Sequence, residues 1–505
     1  MSGVPVEWPT RDLLSVRADT TPERTAIVDA DAGESWTYRD LHHRVHDVAA
    51  RLDDFPGDGR VGLLLDRRVA VPVVLFAAMR RASSVALFDP TRPARELASQ
   101  FDRADCRVLV CGDETEELAR ETVTAADADC PVASVDDPES SAVEPIHDDT
   151  SAVAMPYPLS RTNEQVLLFT SGTTGRPKGV RLTVGNLVAS ATGSAFRLGV
   201  TRGDRWLVCL PTYHMGGLAP FVRATLYGTG VVLQREFDPE TTAQVISDHD
   251  VTGVSLVPTM LRRLLDDGWT PPEHLRFVLL GGAAASQALL DRCADRDVPV
   301  YPTYGMTEAA SQIATATPEQ AREYPGTVGQ PLVTTTVRVL DESGDPVTTG
   351  ETGELVVDGP TVTPGYLDDA QTEAAFSEHG FHTGDVGYRD GDGRLWVTGR
   401  VDDRIVTGGE NVDPSVVADA IRSHDAVDSV AVVGLPDEEW GERVAALVVA
   451  AAGSELAAGD IEGHCRGRLA PHQVPKTVGF TDEIPRTASG TIDREAVREL
   501  LEKER

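Results

Sequence analysis

Lysine is nearly missing from this 505-residue chain. Only Lys178, Lys476 and Lys503 occur, so almost all of the positive charge is arginine. Positive charge itself is scarce, with 46 basic residues against 80 acidic ones and a net charge of −34. The acids are spread along the whole chain rather than blocked into a tail, which argues against one strongly basic partner. A surface of that sign repels a phosphate backbone, so nucleic acid is excluded as a partner. It suits molar salt, where screening removes the self-repulsion that would otherwise weaken the fold. The expected setting is a halophilic, archaeal-type cytoplasm. No apolar run approaches membrane-spanning length, which excludes insertion by a hydrophobic helix. The opening MSGVPVEWPTRDLL has no basic region followed by an apolar segment, so no export signal is expected. Six cysteines (Cys106, Cys111, Cys130, Cys209, Cys293, Cys465) form no CxxC and no pairing with histidine at ligand spacing. They read as buried thiols in a reducing compartment.

What is present is concentrated between Val166 and Val180, VLLFTSGTTGRPKGV. A short apolar run, the length of a buried strand, opens into hydroxyls and glycines and closes on Arg176 and Lys178. Gly172, Gly175 and Gly179 let the backbone approach a ligand closely. Thr170, Ser171, Thr173 and Thr174 supply hydroxyl donors, and loop amides can converge on one concavity. Lys178 adds a point charge, completing a polyphosphate cradle without a metal-binding cluster. The P-loop of NTPases is excluded, because GxxxxGK followed by Ser or Thr does not occur here. Helical periodicity resumes near Val184.

The rest of the chain alternates strand-like and helical segments, which predicts a mostly parallel α/β sheet. An amphipathic helix is expected over Tyr38–Leu52 after a strand at TAIVDA. Apolar strand-like runs follow at VGLLL, VPVVLFAAMRRA, VALFD and RVLVCG. Residues 112–161 are acidic and poor in large apolar residues, and predict solvated helix and surface loop. After the cradle the alternation resumes through WLVCLP, VVLQ, VTGVSLV, FVLLGG and VPVYPTYG. Gly281 and Gly282 stand at the carboxyl end of one of these strands, where a ligand can sit against backbone. From 326 to 398 the texture changes to short strands and Gly/Asp turns, a β-rich subdomain. With 505 residues there is room for more than one domain. The boundary is placed at GRVDD, giving a large domain over 1–400 and a small α+β lid over 403–505.

The cradle resembles the phosphate loop of the adenylate-forming superfamily, which includes acyl-CoA synthetases, luciferases and peptide-synthetase adenylation domains. Six further stretches resemble it in the same order, so the likeness covers nearly the whole chain. It implies a large N-terminal domain of stacked α/β sheets with a β-rich subdomain, and a small mobile lid. In LPTYHMGG, His214 corresponds to a residue beside the acyl pocket. In YGMTE, the resemblance implies that Tyr304 and Gly305 line the adenine site, Thr307 binds the α-phosphate and Glu308 binds Mg²⁺. A π-face suits a base, and a carboxylate suits a hard cation held mainly by phosphates. Asp385 would accept both ribose hydroxyls, Arg400 would contact ribose or phosphate, and Asp402 would be the hinge of the lid. Gly408, Gly409 and Glu410 would line the channel for the pantetheine arm of coenzyme A.

RTASGTIDR departs from the pattern. The family's lysine position is Thr491, and that lysine normally stabilises charge during adenylation. Ser311 and Gln312, shortly after the MTE, resemble the acid–CoA ligases of menaquinone synthesis that act on o-succinylbenzoate, an acid with an aromatic ring, a ketone and two carboxylates. The resemblance implies an ATP- and Mg²⁺-dependent ligase that forms an acyl-adenylate and passes the acyl group to CoA. Its partners would be a small carboxylate, ATP and CoA, with oligomeric state left open. Two alternatives stand beside it: a generic fatty or aryl acyl-CoA ligase, and a non-catalytic nucleotide-binding relative lacking the lysine. With no carrier domain after residue 505, a peptide-synthetase module is less expected.

Overall fold

The structure, a computed structural model, describes residues 8–147, 157–170, 176–437, 439–451, 453–454, 456–486 and 492–503. The chain divides into two compact units. One comprises the residues up to Thr336 with Val357–Phe381, the other Val337–Val356 with the residues from His382 onward.

In the first unit, strands that are apolar along most of their length form two large mixed sheets. Parallel strands covered by helices on both faces need no polar alternation. The nine-stranded sheet runs Gln330–Pro331, Ser311–Thr315, Val300–Met306, Phe277–Leu280, Gly253–Leu256, Arg205–Val208, Gly230–Leu233, Thr25–Asp29 and Glu34–Thr37. Its centre is parallel, and antiparallel hairpin partners close both edges. The eight-stranded sheet runs Gly365–Tyr366, Lys178–Thr183, Glu164–Thr170, Val85–Leu87, Arg60–Leu63, Cys106–Cys111, Val132–Ser134 and Val143–Pro145. Here the last six strands are parallel and the first two pair antiparallel.

The expected helix Tyr38–Leu52 forms, opened by a capping box of Thr37 and Asp40. It buries Leu41, Val45, Val48 and Leu52 on one stripe. VPVVLFAAMRRA, strand-like in sequence, is instead the helix Ala70–Arg80. Every residue from Val71 to Arg80 is buried, and a helix covered all round shows no periodicity to read. The acidic stretch 112–161 holds the expected helix, Glu116–Ala125, but also the last two strands of the eight-stranded sheet, Val132–Ser134 and, at its edge, Val143–Pro145. The six cysteines are all unpaired thiols, Cys106 and Cys130 only partly buried. Among the described residues no helix is long and apolar enough to cross a membrane.

In the second unit, Gly353–Asp358 lies between Thr336–Leu340 and Gly380–Arg389, with Leu395–Arg400 paired on the last. A further sheet follows in the order Glu410–Val412, Ile405–Thr407, Gly441–Ala450, Val427–Asp437, with Thr477–Phe480 on Gly441–Ala450. Its long strand is buried on both faces. Val430 and Val432 face the core beneath helices Pro414–Arg422 and Ala458–Arg466. Ala431, Val433 and Leu435 face the other core, which the terminal helix Arg494–Lys503 closes with Val497 and Leu501. Truncating Leu501 to Ala would cost about 2–5 kcal/mol and loosen that helix.

Candidate active site

Thr170 ends one strand and pairs directly with Lys178, which opens the next. The cradle therefore leaves and re-enters the same sheet, and the helix Val184–Leu198 begins only after the second strand. Ser171, Gly172, Thr173, Thr174 and Gly175 lie outside the described residues. Lys178 is half-buried, with its Nζ 5.1 Å from the ring centre of Tyr366. The segment carrying Tyr366 pairs with the Lys178 strand, and the Leu367 amide donates to the Gly179 carbonyl at 2.8 Å. A Cβ on Gly179 would stand 2.6 Å from Leu367, so this close pairing requires glycine.

At the carboxyl ends of the neighbouring sheet, Gly281 and Gly282 follow Phe277–Leu280. A Cβ on Gly281 would fall 2.7 Å from the Thr303 methyl, and Gly282 has φ +79°. Tyr304, Gly305, Thr307 and Glu308 end the strand Val300–Met306 and the turn after it. Gly305 packs so closely that a Cβ would lie 1.8 Å from the Ser311 carbonyl. Thr307 opens a single 3-10 turn, Thr307–Ala309, and caps no α-helix. Ala310 (φ +52°) and Ser311 (φ +120°) then take backbone conformations that L residues rarely adopt, strain of the kind stored at functional sites. Glu308 is held twice from one segment. Its carbonyl accepts from the Thr363 amide at 2.7 Å, and its Oε1 accepts from the Tyr366 hydroxyl at 3.0 Å.

His214 precedes the helix Met215–Tyr227. Burial lowers its pKa against the opposing pull of Asp89 and Asp66, and its Nε2 is buried with no protein partner. The turn before it is fixed by Asp66, whose Oδ1 accepts from the Thr212 amide at 2.8 Å. On the same helix Arg223 is 2% exposed. Its Nη2 donates to the Ser311 hydroxyl at 3.1 Å, its guanidinium lies 5.0 Å from the Trp206 ring centre, and its Nε has no partner. No carboxylate among the described residues pairs with it, and burial depresses its pKa. Gln312 is buried, with Nε2 donating to Thr315 at 2.8 Å and Oε1 left without a partner. An unpaired buried cation and two unsatisfied polar groups are costly unless a ligand completes them.

In the second unit Asp385 and Arg400 are direct cross-strand partners. Arg400 Nη1 donates to Asp385 Oδ1 at 2.9 Å, and Asp385 is buried while the arginine is largely exposed. Asp402 is exposed, as are Gly408, Gly409 and Glu410. Gly408 sits against Trp440, whose ring a Cβ would meet at 2.6 Å, and Lys476 Nζ stacks 3.5 Å over that same ring. Arg494 pairs with Asp403 Oδ2 at 2.8 Å and donates to the Val432 carbonyl. Burial raises the pKa of Asp403 although Arg494 opposes it. Thr491 lies outside the described residues.

The sequence-predicted residues thus gather in two sets. Lys178 and Glu308 meet around Tyr366, and Asp385 meets Arg400. The described residues contain no cluster of three or more His, Cys, Asp or Glu side chains able to hold a metal. A lone carboxylate, Glu308, fits a hard divalent cation that keeps most of its ligands from phosphate and water. Sequence reasoning missed Tyr366, which sits in a turn-like TPGYLDD and carries no signal of its own. It also missed Arg223, whose signal was available: it is the single charge in the helix Met215–Tyr227.

Residues 14–367 match the AMP-binding enzyme family and residues 417–491 the AMP-binding enzyme C-terminal domain. A 2-succinylbenzoate–CoA ligase of Bacillus velezensis is 36% identical over 501 residues, covering 97% of this chain and 98% of the relative. The fold is similar to o-succinylbenzoate CoA synthetase from Bacillus subtilis in complex with the acyl-adenylate intermediate, with TM-score 0.87, 32% identity, and 97% and 98% of the two chains covered. The same synthetase in complex with ATP and magnesium ion gives TM-score 0.86 at 32% identity, covering 97% and 99%.

Proposed function

The chain belongs to the AMP-binding enzyme family, and from that premise we propose that it ligates 2-succinylbenzoate to coenzyme A with ATP, through an acyl-adenylate. The observation that carries the choice of acid is Arg223, a buried guanidinium without a carboxylate, hydrogen-bonded to Ser311. 2-Succinylbenzoate has two carboxylates. One reacts, and the other stays anionic and needs a counter-charge where water is excluded. Arg223 supplies it, with Ser311, Gln312 and His214 as the remaining polar lining. A fatty acid offers that cation nothing, so the generic acyl-CoA ligase reading is disfavoured.

In the first half-reaction a carboxylate oxygen attacks the α-phosphorus of ATP and the bond to pyrophosphate breaks. Lys178, with the 170–175 hydroxyls and amides, holds the phosphates, and Thr307 donates to the α-phosphate. Mg²⁺, when bound at Glu308, neutralises charge on the phosphate oxygens. Tyr304, Gly305, Gly281 and Gly282 take the adenine. Asp385 accepts the ribose hydroxyls, its carboxylate already oriented by Arg400. In the second half-reaction the CoA thiolate attacks the acyl carbon and AMP leaves. The lid over 403–505 turns about Asp402 between the two, so that Gly408, Gly409 and Glu410 line the path of the pantetheine arm. The Trp440–Lys476 pair beside Gly408 offers an aromatic face and a cation to a nucleotide diphosphate. No covalent enzyme nucleophile takes part. The setting we infer is a salt-rich, reducing cytoplasm, and the product feeds menaquinone synthesis.

The test is acid-dependent pyrophosphate release with ATP and Mg²⁺. It compares 2-succinylbenzoate with the two acids that each lack one of its carboxylates, benzoylpropionate and butanoylbenzoate. The dicarboxylate should be preferred over both. Equal rates with all three, or preference for a fatty acid, would remove this choice of acid while leaving the ligase.

A further inference from the structure

Tyr366 is placed where the two charges of the phosphate site meet. Its hydroxyl donates to Glu308 Oε1 at 3.0 Å, and its ring face carries Lys178 Nζ at 5.1 Å. Lys178 opens a strand of the eight-stranded sheet, Glu308 sits in the turn after a strand of the nine-stranded sheet, and Tyr366, 2% exposed, contacts both. Lys178 makes no ion pair among the described residues, although a carboxylate is bound to the hydroxyl of the same tyrosine. We propose that Tyr366 is a positioning residue for the metal–nucleotide site: it turns Glu308 toward the cation by its hydroxyl and holds Lys178 toward the phosphates by its ring. This deepens the ligase reading and rests on it.

A lysine and a glutamate left facing each other would neutralise each other, and neither charge would remain for ATP or its metal. The phenol gives each a separate partner. A hydroxyl donor satisfies a carboxylate oxygen, and a π-face satisfies an ammonium without removing its charge. The surrounding backbone fixes the ring with little freedom. Gly365 holds φ +141°, where a Cβ would stand 2.4 Å from Thr372, and the Tyr366 amide donates to the Thr372 hydroxyl at 2.9 Å. Thr363, three residues earlier, anchors the Glu308 carbonyl. One short segment therefore sets both the backbone and the carboxylate of the metal residue, and its strand pairs with that of the phosphate lysine.

Tyr366→Phe keeps the ring and removes the hydroxyl, whereas Tyr366→Leu removes both. Binding of Mn²⁺ to the complex with a non-hydrolysable ATP analogue is followed by electron paramagnetic resonance, and metal-free analogue binding by calorimetry. A hydrogen bond to a charged group is worth about a tenfold change in affinity. Tyr366→Phe should weaken Mn²⁺ about tenfold and leave metal-free nucleotide affinity within about twofold. Tyr366→Leu should weaken both. Wild-type Mn²⁺ affinity in Tyr366→Phe would overturn the proposal, as would equal weakening of metal and metal-free nucleotide, which is the mark of a packing defect. Failure of 2-succinylbenzoate in the pyrophosphate assay, with these binding results intact, would instead overturn the choice of acid alone. A wild-type protein that binds no nucleotide would overturn both.

Discussion

Arg223→Met separates a binding role from a structural one, because the two predict opposite changes in stability. The guanidinium is 2% exposed and has one hydrogen bond, to Ser311, and one aromatic face, Trp206. Desolvating such a cation costs several kcal/mol. A charged hydrogen bond returns about 1.5–3 kcal/mol and a desolvated cation–π contact about 2. The side chain is therefore close to neutral or unfavourable for folding. Methionine fills the stem without charge, so the thermal midpoint should stay the same or rise by a few degrees. With the dicarboxylate bound, losing the partner of a buried charge costs about 2–5 kcal/mol. That corresponds to a fall in kcat/KM of about thirtyfold to a few thousandfold. The monoacid that retains the reacting carboxylate should change by no more than about threefold. The assay is steady-state pyrophosphate release on both acids, with thermal unfolding of the same preparations. A variant that melts well below wild type and loses both acids equally would refute the reasoning, as would one that keeps its preference for the dicarboxylate.

Asp385→Asn removes a buried acceptor charge that Arg400 orients. KM for ATP should rise about ten- to a hundredfold by steady-state kinetics, and an unchanged KM would exclude a ribose contact. Thr491→Lys restores a cation at the position the family uses for adenylation. Acid-dependent ATP–pyrophosphate exchange should accelerate about tenfold or more, with CoA transfer from preformed acyl-adenylate unaltered. Gly305→Ala would set a Cβ 1.8 Å from a carbonyl oxygen. It should lower stability in chemical denaturation by about 3 kcal/mol or more, and a neutral result would contradict the strand geometry. His42, His147 and His214 all have pKa values lowered by burial. The unfolded chain therefore binds protons that the folded chain does not, so their contribution is complete above about pH 6.5, the unfolded value, and is lost as pH falls from there through the lowered folded values. The thermal midpoint at constant molar salt should drop between pH 7.5 and 5.5, and a rise over that window would contradict the sign.

Much of the architecture was legible because the chain alternates strand and helix patterns within each unit. Tyr38–Leu52 shows one apolar stripe, and the central parallel strands of the nine-stranded sheet are short apolar runs bounded by turns. The exceptions have physical causes. Ala70–Arg80 is buried on every side, so its helical period is erased. Val132–Ser134 and Val143–Pro145 are three-residue strands, too short to stand out in an acidic segment. Lys178–Thr183, which turns the cradle into a hairpin, reads as KGVRLT and gives only a brief apolar alternation. Motif order brought forward Lys178, Glu308, Asp385 and Arg400 as candidates; Lys178 and Glu308 both contact Tyr366, and Arg400 contacts Asp385. Tyr366 was not legible, because its importance lies in touching two residues distant in sequence. Arg223 needed its environment as well. A lone arginine in an apolar helix is a weak signal until its missing carboxylate is seen.

The measurement that tests the central claim most directly is a turnover assay in molar KCl with ATP, Mg²⁺, CoA and 2-succinylbenzoate. Pyrophosphate and the CoA ester are quantified separately, with benzoate and a medium-chain fatty acid in parallel. The account predicts equimolar pyrophosphate and 2-succinylbenzoyl-CoA from the dicarboxylate, with little from the other acids. Thioester from benzoate or the fatty acid in preference to it would contradict the assignment of substrate, and no pyrophosphate from any acid would contradict the ligase itself.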